Sequence, residues 1–452
     1  MPSAANDKSK DAGFDDQGFT GPIETLIPRI DIESFCTTGP MATALQESAY
    51  DRRMARTSIA VAMGGIKRAV EIYDEAATPH LLIVETDQTG LEVFDELEGL
   101  ANVCDPDTKV IVCGPSNDVT LYRELKRQGV DEYIVSPAAP IQIIEAIATV
   151  FAEPGIAPMA RTIGFVGVKG GCGASTLAHN AAWKIARTEE KDVMLVDLDV
   201  QFGTASLDFN RDPTRTVLDA LTSSEELDDV KLQRLLIEYD DYLSILAAPS
   251  SLEVQTEFDE NGVIDMIQTI RASTDYAVFD IPHIWSPWVQ RAVMQMEEIV
   301  LVATPELASL RNLKAFHDLL TARRPNDNPP RVVLNQVGIP KRPEIAADDV
   351  AEIIGREVDL IIPHDPTLFG EASNNGQMIE EVNAKHEAVL MLGGLCDTVT
   401  ASRTSLKKAS RNKGKASMGI KGVDLGKFLS MLKGKKKKKA GSRSAEQVGA
   451  ES

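Results

Sequence analysis

The 452-residue chain is poor in aromatic residues, with 3 Trp, 7 Tyr and 13 Phe making up 5% of it. Its cores must therefore rest on Val, Ile, Leu and Ala. Its five cysteines, Cys36, Cys104, Cys113, Cys172 and Cys396, form no CxxC pair and no paired spacing. That excludes a disulfide framework and a cysteine zinc site, and points to buried thiols in a reducing compartment. No run of about 18 apolar residues is present to form a membrane-spanning helix. The opening stretch, MPSAANDKSKDAGFDDQGFTG, has neither an apolar core region nor a cleavage signal, so a cytoplasmic location is expected. No internal repeat with a period of about 20 to 50 residues is found, which excludes a solenoid.

What is present is ordinary globular composition, 43% apolar and 25% charged, over a length that suits two domains or three. The net charge of -21 is unevenly spread. Residues 401–452 hold 15 Lys and Arg against 3 Asp and Glu, a net +12, and the remainder holds 32 against 65, a net -33. An acidic body with a basic tail directs any anionic partner to the tail and argues against nucleic acid as a ligand of the body.

The pattern divides the chain into four. Residues 1–25 are polar and rich in Gly and Asp, and are expected to be disordered. In 26–153, strands are expected at Arg29-Cys36, His80-Glu85, Lys109-Gly114 and Glu132-Ser136, with helical periodicity over Met54-Asp74, Gly90-Leu100 and Val119-Gln128. Phe151-Arg161, with two prolines and a glycine, reads as a linker. In 160–400, strands are expected at Thr162-Val168, Asp192-Asp197, Leu243-Ala247, Tyr276-Asp280, Glu298-Ala303 and Arg331-Asn335. Strands alternating with helices imply α/β domains with mostly parallel sheets. The last piece, 401–452, is a basic tail. Within it Leu425, Phe428, Leu429 and Leu432 share one helical face, flanked by Lys427 and Lys433 and followed by Lys435-Lys439. An apolar stripe beside a lysine cluster suits an anionic membrane surface.

The chemistry concentrates at 162–176. The buried strand Thr162-Val168 runs into Lys169-Gly170-Gly171-Cys172-Gly173-Ala174-Ser175-Thr176 and then into a helix over Leu177-Arg187. Strand, glycine loop and helix form the context of a phosphate-binding loop: glycines let backbone N–H groups converge on phosphate oxygens, and the helix N-terminus adds positive charge. Ser175 stands where a hydroxyl would hold Mg²⁺. Against the pattern G-x-x-x-x-G-K-[ST], Val168 replaces the first glycine and Ala174 replaces the lysine, which removes a cation from the β/γ-phosphates. Asp197 and Asp199, two residues apart at a strand end, are candidates for a cation and a water. Asp280 ends another apolar strand.

This arrangement resembles the deviant Walker A loop of the MinD/ParA family. The resemblance implies that Lys169 reaches across a homodimer to the partner's nucleotide, that Asp197 and Asp280 assist Mg²⁺, and that Asp199 positions the attacking water. It also implies that Asn335 hydrogen-bonds adenine and that Ile361-Ile-Pro363-His364-Asp365 closes over the base. Asp280-Ile-Pro-His-Ile-Trp285-Ser-Pro-Trp288 and Ala303-Thr-Pro-Glu-Leu-Ala-Ser-Leu-Arg-Asn312 resemble the CpaE/TadZ branch, which serves Tad/Flp pilus systems.

The front domain resembles a response-regulator receiver, a flavodoxin-like fold, but lacks its chemistry. Glu85 stands at the phosphoacceptor position, with Asp87 two residues on. Gly114 stands where a hydroxyl is usual, and Ser136 stands where a Lys precedes Pro137. Glu33, with Asp31 nearby, is what is left of an acidic Mg²⁺ pair. A carboxylate is phosphorylated only with a metal and a cation to neutralise the phosphoryl oxygens, so this domain is expected to be an interaction or dimerisation module. The whole then reads as an ATP- and Mg²⁺-binding dimer with weak hydrolysis. It would localise or assemble a pilus apparatus, peripheral to the inner membrane and at a cell pole. A DNA-partitioning ATPase and a nucleotide-free scaffold are the competing readings.

Overall fold

A computed structural model of the protein describes residues 27–90, 92–152, 159–222, 227–251 and 258–401. The stretch 1–25 and the basic tail with its amphipathic segment lie outside the described residues. The chain divides into two units, Met1–Met159 and Ala160–Ser452. Among the described residues no helix is long and apolar enough to cross a membrane.

In the first unit five parallel strands, β1 (Ile30–Cys36), β2 (Thr57–Met63), β3 (Leu81–Glu85), β4 (Lys109–Gly114) and β5 (Glu132–Val135), order as β2-β1-β3-β4-β5. This is the strand order of a flavodoxin-like domain. The apolar run of β3 feeds both faces, because successive side chains of a strand point opposite ways. Leu81 and Ile83 join the core under helices Gly39–Ser48 and Pro140–Val150, while Leu82 and Val84 join the core under Gly65–Tyr73, Glu92–Ala101 and Val119–Arg127.

The expected helix Met54-Asp74 is corrected here: it divides into β2 and the helix Gly65–Tyr73. The period is two, with Thr57, Ile59 and Val61 half-buried and Ser58, Ala60 and Ala62 exposed. Ala60 and Ala62, which favour helix by propensity, lie on the open side of an edge strand paired to β1. Gly64, at φ +125°, then breaks the chain direction. The helix Gly39–Ser48, absent from the sequence reading, starts at Thr38, whose hydroxyl accepts from Met41 N, with Pro40 in the first turn.

The second unit carries eight strands: β6 (Arg161–Gly167), β7 (Val193–Asp197), β8 (Ile237–Glu238), β9 (Leu243–Leu246), β10 (Tyr276–Ile281), β11 (Glu298–Ala303), β12 (Arg331–Val337) and β13 (Leu360–Pro363). Their order is β13-β12-β11-β6-β10-β7-β9-β8, parallel throughout except for β8 against β9. Residues 361–363, expected in a loop, belong to edge strand β13. Again the continuous apolar runs alternate between two cores. Ile163 and Phe165 of β6, Val193 and Leu195 of β7 and Val278 of β10 pack on one side, with helices Ala174–Glu189 and Glu387–Thr400. Val166, Met194, Val196, Ala277 and Phe279 pack on the other, with helices Glu260–Ser273, Pro287–Gln295 and Leu307–Arg323. β6 lies in the middle, and the chain leaves it first toward β7 and returns later to β11 on its other side. In such sheets the crevice beyond the strands' carboxyl ends is where ligands bind.

Gly164 shows how tightly this layer is filled: a Cβ there would lie 2.6 Å from Met296 Cγ and 2.9 Å from Ile281 Cδ1. Gly164→Val is expected to destabilise the second unit by about 1–3 kcal/mol through overpacking. The check is its denaturant midpoint, with hydrogen exchange of the first unit's strands unchanged.

Candidate functional site

At the carboxyl end of β6 the chain turns through 168–173 into the helix Ala174–Glu189. Gly171 and Gly173 hold φ of +75° and +87°, where L side chains are strained. Four carbonyls of this turn are tied by side chains from elsewhere. His283 Nδ1 donates to Gly167 O at 2.9 Å, and Asn312 Nδ2 to Val168 O at 2.9 Å. Gln336 Nε2 donates to Gly171 O at 2.9 Å, and Asn335 Nδ2 to Cys172 O at 2.9 Å. The two amides are consecutive residues that serve one loop because β12 is irregular there: its register shifts between Leu334 and Val337, and Gln336 takes φ +56°. With carbonyls held outward, the intervening N–H groups and the helix start are left for an anion.

The remaining loop residues have distinct roles. Cys172 is buried, and its sulfur would lie 2.8 Å from a Cβ on Gly167, so it is a packing atom. Burial raises its pKa, making it a poor thiolate. Ala174 is buried, and Ser175 and Thr176 are half-buried at the helix start. Lys169 Nζ lies 2.6 Å from Glu306 Oε2, and Arg342 Nη1 lies 3.4 Å from the other oxygen of that carboxylate. The hydrogen bond from Lys169 holds the Glu306 carboxyl below its usual range. In this structure, then, Lys169 is paired within its own chain.

Asp197 and Asp280 meet because β7 and β10 are neighbours, in register at this pair. Asp197 is fully buried and accepts from Asp199 N at 3.1 Å and Ala205 N at 3.1 Å. Burial and the facing Asp280 raise its pKa, with His179 opposing. Asp280 Oδ2 is buried without a hydrogen-bond donor. A lone carboxylate oxygen beside a second carboxylate is an environment that a divalent cation relieves, so these residues fit Mg²⁺. Asp199, half-buried, accepts from Phe202 N at 3.1 Å, and burial raises its pKa. It lines a cleft of about 280 Å³ with Gly170, Phe202, His283, Ile284 and Trp288.

Sequence reasoning missed His179. It is fully buried one helical turn after Ser175, with Nδ1 2.7 Å from Asp208 and Nε2 3.5 Å from Asp280. Burial alone would lower its pKa, but the two carboxylates raise it to about 10. The available signal was its spacing: residues four apart share a helix face. Asn335 has its amide on the loop. Pro363 and His364 follow β13, with His364 N bonded to Val337 O at 2.8 Å. The tryptophans separate: Trp288 is buried against Phe258, while Trp285 is 37% exposed and stacks edge-on with Phe316.

In the first unit Glu85 is 2% exposed and fills its own crevice. Its carboxylate accepts from Thr37 N and Thr38 N, each at 2.8 Å, from Thr38 Oγ1 at 2.8 Å and from Ser136 Oγ at 2.5 Å. Burial would raise its pKa, but these bonds together lower it. Burial and that charge push the Cys36 thiol up to about 12. Tyr133 donates to Ser116 O at 2.9 Å, and a Cβ on Gly114 would lie 2.8 Å from its hydroxyl, so the ring takes the space a side chain at 114 would need. Glu33 accepts from Tyr73 Oη at 2.7 Å through one of its two carboxylate oxygens.

The sheet, the tied loop and the carboxylate pair define an α/β domain of the P-loop type. A sequence profile for a family described as an AAA domain matches residues 160–328. The chain belongs to the MinD/ParA family, and it is related to the CpaE pilus assembly proteins. It is 26% identical over 226 residues to the septum site-determining protein MinD of Bacillus subtilis (strain 168), covering 49% of this chain and 82% of that one. Against the crystal structure of the pilus assembly protein CpaE from Caulobacter crescentus CB15 the identity is 43%, covering 28% of this chain and 98% of that one, with a TM-score of 0.28. MinD from Pyrococcus horikoshii OT3, solved with Mg-ADP, is 22% identical, covering 55% of this chain and 99% of that one, with a TM-score of 0.47.

Because the pKa of Glu85 is lower folded than unfolded, its stabilisation is present above the unfolded carboxylate pKa and is lost as pH falls through the folded value. Glu85→Gln is expected to weaken the first unit at neutral pH by on the order of 2 kcal/mol, the worth of hydrogen bonds to a charged group. The loss should shrink at pH 3. Hydrogen exchange of β1, β3 and β5 at the two pH values checks this.

Proposed function

We propose that the chain binds ATP with Mg²⁺ at 169–176, dimerises, hydrolyses slowly, and localises or assembles a pilus apparatus of the Tad/Flp type. The observation that carries the nucleotide reading is the loop whose four carbonyls are tied away beside a buried, unsatisfied Asp280. The N–H groups of Gly170 through Ser175 take the phosphates. Ser175, Asp197 and Asp280 hold Mg²⁺, which neutralises charge on the phosphate oxygens. Asp199 orients water at the edge of the cleft. Lys169 leaves Glu306 to reach the nucleotide of the partner in the dimer. Asn335 secures the loop from below, and Pro363 and His364 flank the base.

The pilus role is supported by the identity to CpaE over nearly the whole of that chain. The basic tail, 401–452, is the proposed attachment to an anionic membrane surface or to a membrane-bound partner, which would place the protein at the inner membrane and at a pole. The acidic body leaves little surface for nucleic acid.

Titration calorimetry with ATP–Mg²⁺ and ADP–Mg²⁺, with mass measured by light scattering in each, tests the reading. Wild type should bind both and shift to dimer with ATP. Gly173→Val should lose binding, because φ is +87° there and a Cβ would lie 2.4 Å from Asn335 Nδ2. Equal affinity in that variant refutes the site, and no binding by wild type favours a nucleotide-free scaffold. Ala174, in the lysine position, should keep turnover below the ordinary enzyme range of about 1 to 1000 s⁻¹. Steady-state phosphate release measures it.

A further inference from the structure

Among the described residues the two sheets end in four edge strands, and three of these are blunted. β5 is four residues long and begins with the buried carboxyl of Glu132. β13 is four residues long, pairs irregularly with β12 and ends in Pro363, and β8 is two residues long. Short strands, inward charges, proline and irregular pairing keep sheet edges from joining other chains. The fourth edge, β2, has none of these. Thr57-Ser-Ile-Ala-Val-Ala-Met63 is seven residues long, carries no charge and no proline, and pairs with β1 in unbroken register from Ile30↔Thr57 to Cys36↔Met63. Its inner side fixes its outer side. Gly64 N donates to Cys36 O at 2.8 Å, and Ala60 O accepts from Ser34 Oγ at 2.9 Å, so the even-numbered residues present N–H and C=O to β1. Those directions alternate along a strand, so Thr57, Ile59, Val61 and Met63 present theirs outward, where the described residues place no further strand. Ile59 and Val61 pack only partly against the core under the helix Gly39–Ser48, and Ser58, Ala60 and Ala62 stand exposed on the opposite face.

We propose that β2 pairs antiparallel with β2 of a second copy of the chain, about a twofold axis at Ala60, so that the five strands of each copy join into one continuous sheet. The strand is self-complementary in that register. Ile59 lies opposite the partner's Val61, and Val61 opposite the partner's Ile59. Both residues face outward, so these are the pairs that exchange two N–H to C=O bonds, and Thr57 with Met63 repeats the pattern at each end. The closely spaced pairs, about 4.5 Å between Cα atoms, fall to Ser58 with Ala62 and to Ala60 with its own copy, where only small side chains meet. Registers centred on Ile59 or Val61 engage fewer of the seven residues. Opposed β-branched side chains stabilise a strand pair, and here they carry the core under the helix Gly39–Ser48 across the axis, covering the side chains it leaves half-buried. An uncharged edge offers a foreign strand no charge to recognise, whereas the same sequence reversed matches it at every position.

The pairing needs no nucleotide, so it is tested on the full chain without one, apart from the ATP-driven dimer proposed above. Light scattering over a concentration series should show nucleotide-free wild type passing from monomer to dimer. Ala60 is exposed, so Ala60→Lys and Ala60→Glu leave the fold intact, but each sets like charges opposite one another and should weaken the dimer about fivefold or more. An equimolar mixture of the two variants should restore it, as a dimer with one copy of each, read by native mass spectrometry. Ala60→Cys should give a disulfide-linked dimer on mild oxidation, because the close Cα spacing at the axis suits that bond. Wild type, whose cysteines are buried or half-buried, should not. A nucleotide-free chain that stays monomeric and yields no linked Ala60→Cys dimer overturns the inference, whether or not ATP brings copies together. So does a dimer that the Lys and Glu variants leave as strong as wild type, or one that their mixture fails to restore. If wild type is monomeric and removal of residues 1–25 makes it dimerise, the chain's own front segment occupies the edge, and the inference falls as well.

Discussion

The second unit depends on one constraint: the backbone carbonyls of Gly167, Val168, Gly171 and Cys172 are each fixed by a side chain from outside the glycine loop. A tight loop cannot do this with its own atoms, because its N–H and C=O groups alternate along the chain. Four side chains, from a loop after β10, from the helix Leu307–Arg323 and from two consecutive positions on β12, hold them. The sheet order follows from the same need. β11 and β10 flank β6, and the chain returns through β12 beyond them, so donors separated by more than 100 residues in sequence converge on six residues of loop. The bulge in β12 and the left-handed Gln336 are local costs of that convergence. They let two neighbouring side chains face the same way, which a regular strand forbids.

The two units treat buried carboxylates in opposite ways. Glu85 has four hydrogen bonds drawn from the ends of β1 and β5, so its charge is satisfied by the domain that buries it. Asp280 keeps an oxygen that makes no hydrogen bond, 3.5 Å from His179 Nε2, and faces another carboxylate across the register of β7 and β10. A satisfied buried charge cements a structure, whereas an unsatisfied one marks a place prepared for something else. This contrast separates a flavodoxin-like domain that satisfies its own buried carboxylate from a P-loop domain that leaves a buried carboxylate oxygen without a hydrogen bond.

Lys169 carries a related tension. Its ammonium is the cation that the loop retains after Ala174 took the usual lysine's place, and it is spent on Glu306, which Arg342 also contacts. For Lys169 to act on a phosphate it must leave that carboxylate, and Arg342 remains to keep Glu306 neutralised. Phe202 and Ile284, both exposed, line the cleft that Gly170 and Asp199 also line, so apolar surface lies next to the glycine loop.

The linear sequence determined most of the local elements and the glycine-loop motif. Alternation and apolar runs placed most strands, because a buried parallel strand needs an unbroken apolar stretch whatever surrounds it. The loop Lys169-Thr176, the pair Asp197 and Asp199, and Asp280 stand out in the sequence because a phosphate site would need glycine, hydroxyl and carboxylate at short spacings, and the fold sets Asp197 beside Asp280. β2 was misread, since its exposed alanines carry helical propensity and only pairing to β1 decides in favour of a strand. Tertiary structure alone decided the partners of the loop. Nothing along the chain announces that Asn312, Asn335 and Gln336 hold its carbonyls, or that His179 stands between Asp208 and Asp280. Those contacts join residues brought together by sheet order, and a polar side chain's role is set by which unsatisfied group the fold places in front of it.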